Sequence, residues 1–195
     1  MLKIFKTIKS YSLTYNNKNI LDDLRKYSDH FYYSHKINGR WENQYLDMQF
    51  VPEIRYIFSL ACKFGKELID ESFIVPNKSL GIDRDEFWFN IAKPGESTGW
   101  HNHKEDALIS AVYYLDVPQN SGDIQFRFKN NNEWLYHTIQ SKNNKLILFH
   151  SNIEHSVGIN NSNDDRISLA FNLYKLPLKL ASKADEYSLK FFFHK

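Results

Sequence analysis

Short runs that alternate between apolar and polar residues fill the chain from Gly81 to about Lys175, and they constrain the fold more than any other feature. Turn-forming residues separate the runs. Alternation over about four to eight residues is typical of β-strands with one buried face. The second half of the chain is therefore predicted to be β-structure, with strands at 86–92, 98–103, 109–116, 123–128, 133–139, 145–149 and 166–174.

The last of these runs predicts a strand with two faces of opposite character. Alternate side chains of a strand point to opposite sides of the sheet. One face consists of Ile167, Leu169, Phe171 and Leu173, and the other of Arg166, Ser168, Ala170 and Asn172. A polar face at this place in the chain requires either solvent or a cavity, so the strand is a candidate wall of a binding site.

Two amphipathic helices are predicted ahead of the strands. In segment 19–28, Ile20, Leu21 and Leu24 lie on one stripe. From Pro52 to about Asp70, apolar residues recur close to the 3.6-residue period of a helix. Helices followed by seven to eight short strands predict a mainly β (α+β) fold, a double-stranded β-helix or jelly roll with the N-terminal helices packed on one sheet.

Length and composition bound the organisation of the chain. Its 195 residues predict a single domain, with helical N-terminal support at 1–80, a jelly-roll core at 81–175 and a tail at 176–195. The 25 basic and 23 acidic residues are scattered, which argues against a nucleic-acid partner. No apolar run is long enough to cross a membrane, and the single cysteine excludes an intramolecular disulfide. A soluble, cytoplasmic protein is expected.

His101 and His103 alternate on a predicted strand, so their imidazoles face the same side. His155 follows after another apolar run. Three histidines from two strands would bind one face of a metal ion and leave its other coordination positions open. Surface histidines are an equally good interpretation of these three residues alone. Arg166 and Ser168 share one strand face, where a buried guanidinium would need an anion, although an exposed Arg166 paired with neighbouring aspartates is also compatible with the sequence.

Taken together, these segments resemble a known family, the 2-oxoglutarate/Fe(II)-dependent oxygenases common in marine phages and bacteria. The matching segments are FWFNIAKPGE (87–96), WHNHKEDALISAVYYLDVP (100–118), SGDIQF (121–126) and LILFHSNIEHSVGINNSNDDRISLAFN (146–172). This sequence departs from the family pattern at Ala111, where glycine is usual, at His150, where proline is frequent, and in the KEDA turn. These departures bear on the rim of the site and on substrate fit.

The resemblance implies a jelly-roll dioxygenase that uses Fe(II), O2 and 2-oxoglutarate as co-substrate. Carried over by position, His101, His103 and His155 would bind Fe(II), and Arg166 with Ser168 would bind the distal carboxylate of 2-oxoglutarate. Tyr114, Asn90 and Asn172 are expected either to contact the co-substrate or to support the metal ligands from behind. The implied reaction hydroxylates an unidentified small-molecule or peptide substrate and releases succinate and CO2.

Several alternatives stay open. Glu105 would replace His101 if the ligands were His103, Glu105 and His155, although His101 is favoured because it leaves a longer hairpin loop before the next strand. A cupin-like metal enzyme that does not use 2-oxoglutarate, or an inactive β-sandwich binding protein, would also fit parts of the pattern. The basic, aromatic tail 190–195 is compatible with a subunit contact in a homodimer, and a phage-encoded chain would act in the host cytoplasm.

Overall fold

Two antiparallel sheets and two helices make up the computed structural model, which describes residues 7–37, 40–103, 107–131 and 133–178. The helices are α1 (Lys18–Lys26) and α2 (Ile54–Ile69). The strands in the described part are β1 (Lys9–Ser12), β2 (Tyr32–Ile37), β3 (Arg40–Tyr45), β4 (Phe73–Ile74), β5 (Phe87–Ala92), β6 (Thr98–His101), β7 (Ile109–Asp116), β8 (Ile124–Asn130), β9 (Glu133–Ile139), β10 (Lys145–His150), β11 (Glu154–Val157) and β12 (Arg166–Lys175).

The large sheet has the strand order β1-β10-β7-β12-β5-β3-β2, with β4 paired to the end of β12. The small sheet has the order β6-β11-β8-β9. All pairings are antiparallel. From β5 to β12 the chain alternates between the two sheets, except at the β8–β9 hairpin, as in a double-stranded β-helix. The predicted fold class is confirmed.

Helices α1 and α2 cover the outer face of the large sheet. Ile57 and Phe58 of α2 belong to one buried cluster with Leu169 and Phe171 of β12, and the Phe58 and Phe171 ring centroids lie 4.8 Å apart. A Cβ on Gly65 would come within 3.2 Å of a Leu173 methyl group, so the glycine lets α2 lie close to the sheet. The apolar face of β12 therefore packs against the helices, as its alternation predicts, and its polar face looks into the space between the sheets.

A second apolar cluster fills part of that inner space. Val112 and Tyr114 of β7 meet Ile124 and Phe126 of β8 there, together with Phe149 of β10. Because this cluster occupies one part of the gap between the sheets, the polar side chains of β12 line what remains.

All seven predicted strands are present, and β7 and β9 have the predicted bounds. One prediction is wrong in an informative way: β6 ends at His101 and does not reach His103, whose N–H donates to the Ser151 carbonyl in the loop after β10. The sequence did not indicate β1–β4, which pair within the large sheet, or the four-residue β11. The division into 1–80, 81–175 and 176–195 stays a prediction, and both Glu105 and the tail from 179 onward lie outside the described residues.

Among the described residues, the helices are too short or too polar to cross a lipid bilayer.

Candidate active site

Three histidines converge between the sheets. His101 of β6 and His155 of β11 are direct cross-strand partners, and His103 follows two residues after the end of β6. One ligand nitrogen from each lies within 4.8 Å of the others, and the His101 and His155 ring centroids are 4.2 Å apart. Three ligand nitrogens this close leave room for a single metal ion.

The hydrogen bonds of the three rings prepare them for a metal. Nδ1 of His101 lies 2.9 Å from the Gly99 carbonyl, and Nδ1 of His155 lies 3.1 Å from the Ile153 carbonyl. Nδ1 of His103 lies 2.8 Å from Oδ1 of Asn172. A ring nitrogen that faces an acceptor carries the proton, so Nε2 of each ring keeps its lone pair for a metal.

Burial keeps the rings of His103 and His155 neutral. Loss of hydration lowers the pKa of His103 to about 4, against the opposing effect of its bond to Asn172. Burial also lowers the pKa of His155 well below its ordinary value, and the nearby His101 and His103 add to this effect. Since only a neutral imidazole binds a metal, both shifts favour ligation at neutral pH.

A cavity of about 270 Å³ opens beside the histidines. Its lining brings together most of the residues predicted from the sequence: the three histidines, Arg166, Ser168, Tyr114 and Asn90. Asn172, which was also predicted, does not line this cavity. The other lining residues are Asn43, Trp88, Thr98, Asn102, Ala111, Val112, Ile124, Phe149, Val157 and Ala170. An apolar wall with few polar groups is typical of a site that orients a small ligand.

Arg166 lines this cavity, and only 2% of its surface is exposed. Its Nη1 donates to the carbonyl oxygens of Ser121 and Gly158, which fixes one terminal nitrogen of the guanidinium group. The Tyr114 hydroxyl is buried and makes no hydrogen bond of normal geometry in the described part of the chain. Burial raises its pKa to about 12, against the smaller opposing effects of the nearby Ser141 hydroxyl and Arg166. A fixed cation beside an unpartnered phenol donor is a fit for a carboxylate.

Gly122 is a residue of the site that sequence reasoning did not single out. Its φ is +91°, and a Cβ there would lie 2.3 Å from the Gly158 carbonyl oxygen and 2.9 Å from Nη1 of Arg166. Glycine is therefore required for the loop to close around the guanidinium. The sequence Ser-Gly-Asp at 121–123, directly before β8, is typical of a turn and could have identified this glycine.

Asn172 and Ser110 both lie against the His103 ring. Asn172 was predicted either to contact the co-substrate or to support a metal ligand, and the structure places its Oδ1 2.8 Å from Nδ1 of His103. Ser110 was not predicted, and its hydroxyl lies 2.8 Å from both His103 Nδ1 and Asn172 Oδ1. Its place on the same face of β7 as Tyr114 was the signal that could have identified it.

Residues 86–172 match the family model of the 2OG-Fe(II) oxygenases. Over these 87 of its 195 residues the chain is similar to a 2OG-Fe(II) oxygenase domain. The cofactors of that family are Fe(II) and the co-substrate 2-oxoglutarate, and the three imidazoles together with Arg166 fit these two groups. A comparison with curated protein sequences finds no match.

Solved structures of this oxygenase domain fold are similar to the chain over most of its length. The non-heme α-ketoglutarate-dependent epimerase SnoN from nogalamycin biosynthesis has a TM-score of 0.67 at 13% identity, with 91% of this chain and 82% of that chain covered. SnoN is also known in complex with Fe3+, α-ketoglutarate and nogalamycin RO. The Trichoplax adhaerens prolyl hydroxylase, in complex with a peptide fragment of hypoxia inducible factor, has a TM-score of 0.62 at 16% identity, with 87% and 84% covered. At these identities the likeness shows a shared fold.

Proposed function

We propose that the chain is an Fe(II)- and 2-oxoglutarate-dependent dioxygenase that hydroxylates a small-molecule or peptide substrate. The observation that carries this proposal is the pairing, in one cavity, of three imidazoles with free Nε2 atoms and a buried Arg166 beside the unpartnered Tyr114 hydroxyl. In the overall reaction O2 oxidises both partners, so that one oxygen atom enters a substrate C–H bond and the other enters the succinate formed as 2-oxoglutarate loses CO2.

In this proposal His101, His103 and His155 hold the iron. Their Nδ1 atoms are engaged by acceptors, so no proton has to leave the ring when Nε2 binds. Three ligands on one side of the metal leave the other positions for the co-substrate and O2. Glu105 remains the alternative ligand, and it lies outside the described residues.

Arg166, Ser168 and Tyr114 bind the distal carboxylate of 2-oxoglutarate in this proposal. All three are at most 5% exposed and line the cavity, so water competes little for the carboxylate. Bound Fe(II) and 2-oxoglutarate supply the oxidising chemistry, and the protein supplies position and exclusion of water. Ile124 and Phe149 form part of the apolar wall that keeps the site dry.

Asn90 orients the substrate in this proposal. It lines the cavity, and its amide makes no hydrogen bond to any described residue, so it is free to donate to and accept from a ligand. Trp88, one pleat away on the same strand, adds an aromatic surface beside it. An amide next to an indole favours a substrate with both a polar group and an apolar part.

Origin, location and assembly complete the proposal. The motif resemblance supports an origin in marine phages or bacteria. A single, unpaired cysteine supports the cytoplasm, of the host where the gene is phage-borne. The aromatic and basic residues of 190–195 support a homodimer.

The proposed reaction predicts succinate release from 2-oxoglutarate in air with Fe(II) and ascorbate, stimulated by a substrate among screened amino acids, peptides and nucleosides. His155→Ala should abolish release, whereas His30→Ala, on an exposed turn of the helical side, should leave it unchanged. Equal succinate release by wild type and His155→Ala would refute the assignment. A tightly bound metal without any use of 2-oxoglutarate would favour the cupin-like alternative, and full function in metal-free protein would favour a binding protein.

A further inference from the structure

His103 differs from the other two histidines in what holds its ring. Nδ1 of His101 and Nδ1 of His155 each face the carbonyl of the residue two positions earlier, so local backbone orients both rings. His103 lies beyond the end of β6, and its Nδ1 faces two side chains at 2.8 Å, Oδ1 of Asn172, 69 residues away on β12, and Oγ of Ser110. A hydroxyl can either donate or accept, so it is compatible with both tautomers of the ring, and Asn172 is the group that distinguishes them.

A carboxamide can present either of two ends of nearly the same shape. With Oδ1 toward His103, the ring carries its proton on Nδ1 and leaves Nε2 free for a metal. With Nδ2 toward His103, Nδ1 would have to accept, and the proton would move to Nε2 and block ligation. The orientation of the Asn172 amide thus decides whether His103 is a ligand.

Glu86 selects that orientation. Nδ2 of Asn172 lies 3.1 Å from Oε2 of Glu86, and an ionised carboxylate only accepts hydrogen bonds. The Asn172 N–H also donates to the Glu86 carbonyl at 2.9 Å, and Arg84 pairs with the other carboxylate oxygen at 2.9 Å. From the opposite side, the Ser110 hydroxyl donates to Oδ1 of Asn172 at 2.8 Å. The Glu86 carboxylate requires this orientation, and the Ser110 hydroxyl, which can also accept, is compatible with it.

We propose that Glu86 is a positioning residue which, through Asn172, keeps the His103 proton on Nδ1 and its Nε2 available to the metal. This inference rests on the proposed metal site and deepens it. Glu86 touches neither the imidazole nor the metal position. Two hydrogen bonds connect its carboxylate to the His103 ring, one from Asn172 to Glu86 and one between Asn172 and His103.

Glu86→Gln tests the proposal because it keeps the size of the side chain and lets it present either a donor or an acceptor to Asn172. In metal-free protein, proton–nitrogen correlation spectra of the imidazoles report which nitrogen carries the proton. Wild type should show His103 protonated on Nδ1, and Glu86→Gln should show a mixture of both tautomers. Co(II) affinity should fall about 10- to 100-fold in the variant.

Two further variants sharpen the test. Asp22→Asn removes a carboxylate from an exposed ion pair on α1, as a matched control, and should change neither the spectrum nor the Co(II) affinity. The double variant Glu86→Gln/Asn172→Asp places an oxygen acceptor against His103 whichever way the side chain turns. It should restore the Nδ1 tautomer and recover most of the Co(II) affinity.

The proposal would be overturned if Glu86→Gln changed neither the His103 tautomer nor the Co(II) affinity. A lower melting temperature alone would not rescue it, because a purely structural role of Glu86 predicts a change in melting temperature only. The proposal would also be overturned if Glu86→Gln gave a mixture of His103 tautomers and the double variant did not restore the Nδ1 tautomer. The spectra require no metal, so they decide the role of Glu86 separately from the metal site, whose own failure would appear as no Co(II) binding by wild type.

Discussion

Replacing Arg166 with alanine should weaken 2-oxoglutarate binding severely while leaving the metal site intact. Arg166 is 2% exposed and lines the cavity without being one of the three candidate metal ligands. Loss of one partner of a buried, charge-assisted pair costs about 2 to 5 kcal/mol. That range corresponds to about a 30- to 4,000-fold rise in the dissociation constant.

The same substitution should also lower stability. The Arg166 guanidinium donates to the carbonyls of Ser121 and Gly158, and its removal leaves both buried acceptors to find other partners. Each unsatisfied buried group costs about 1 to 3 kcal/mol, so a measurable fall in the free energy of unfolding is expected. Urea unfolding of metal-free protein measures this part by itself.

The assay is an anaerobic titration of 2-oxoglutarate into Fe(II)-loaded protein, followed by the visible metal-to-ligand absorbance. Co(II) titration of each variant checks that the metal site survives. Ser168→Ala is the milder companion, since it removes a neutral hydroxyl on the same face of β12 and should cost about tenfold or less. Wild-type 2-oxoglutarate affinity in Arg166→Ala, at full metal occupancy, would refute the assignment of Arg166 to the co-substrate.

Three other predictions concern the ligands, the turn and the pH dependence. His101→Ala should reduce Co(II) affinity far more than Glu105→Gln in parallel titrations, and the reverse order would place the metal on the carboxylate. Gly122→Ala should lower the free energy of unfolding, measured in urea, by about 1 to 3 kcal/mol. The φ of Gly122 is +91°, and a Cβ there would collide with the Gly158 carbonyl. Gly99→Ala is the control and should have a much smaller effect, because a Cβ at Gly99 meets nothing within 4 Å. Burial holds the pKa of His103 near 4, below the unfolded value near 6.5, so the unfolded state takes up the proton first. Stability of metal-free protein, measured by thermal unfolding, should therefore fall as the pH drops below about 6.5. Burial also lowers the pKa of His155, which adds to the same slope, so His103→Gln should make the slope shallower without removing it.

Strand periodicity predicted the inner wall of the site well because alternation is a local property. On β12 it placed Arg166 and Ser168 on the face opposite the helix-packed residues, and the structure confirms this division. The four-residue β11 was missed because its burial pattern has no alternation, with His155 and Ser156 both buried. Short strands of this kind are specified by their neighbours more than by their own residues.

The role of Asn172 could not be read from the sequence. Parity placed its side chain on the inner face, and that is where it lies, but contact with the co-substrate and contact with a ligand ring are both compatible with that face. The choice depends on where the chain goes after β6, and His103 leaves the strand there to meet a partner 69 residues away. Such a long-range contact has no periodic signature.

The charges of the site link its two halves. Among the described residues that line the cavity, the histidines are held neutral or are uncharged in the ligating form, and Arg166 is the cation. A divalent metal therefore adds positive charge to a cavity whose described lining has no carboxylate, and the dianion 2-oxoglutarate offsets two of the three positive charges. Each should bind more tightly in the presence of the other, and by the same factor, because binding free energies are reciprocal. Titrating Co(II) with and without saturating 2-oxoglutarate, and 2-oxoglutarate with and without Co(II), measures the two factors. Equal Co(II) affinity in both conditions would mean that a carboxylate outside the described residues, with Glu105 the first candidate, already neutralises the metal.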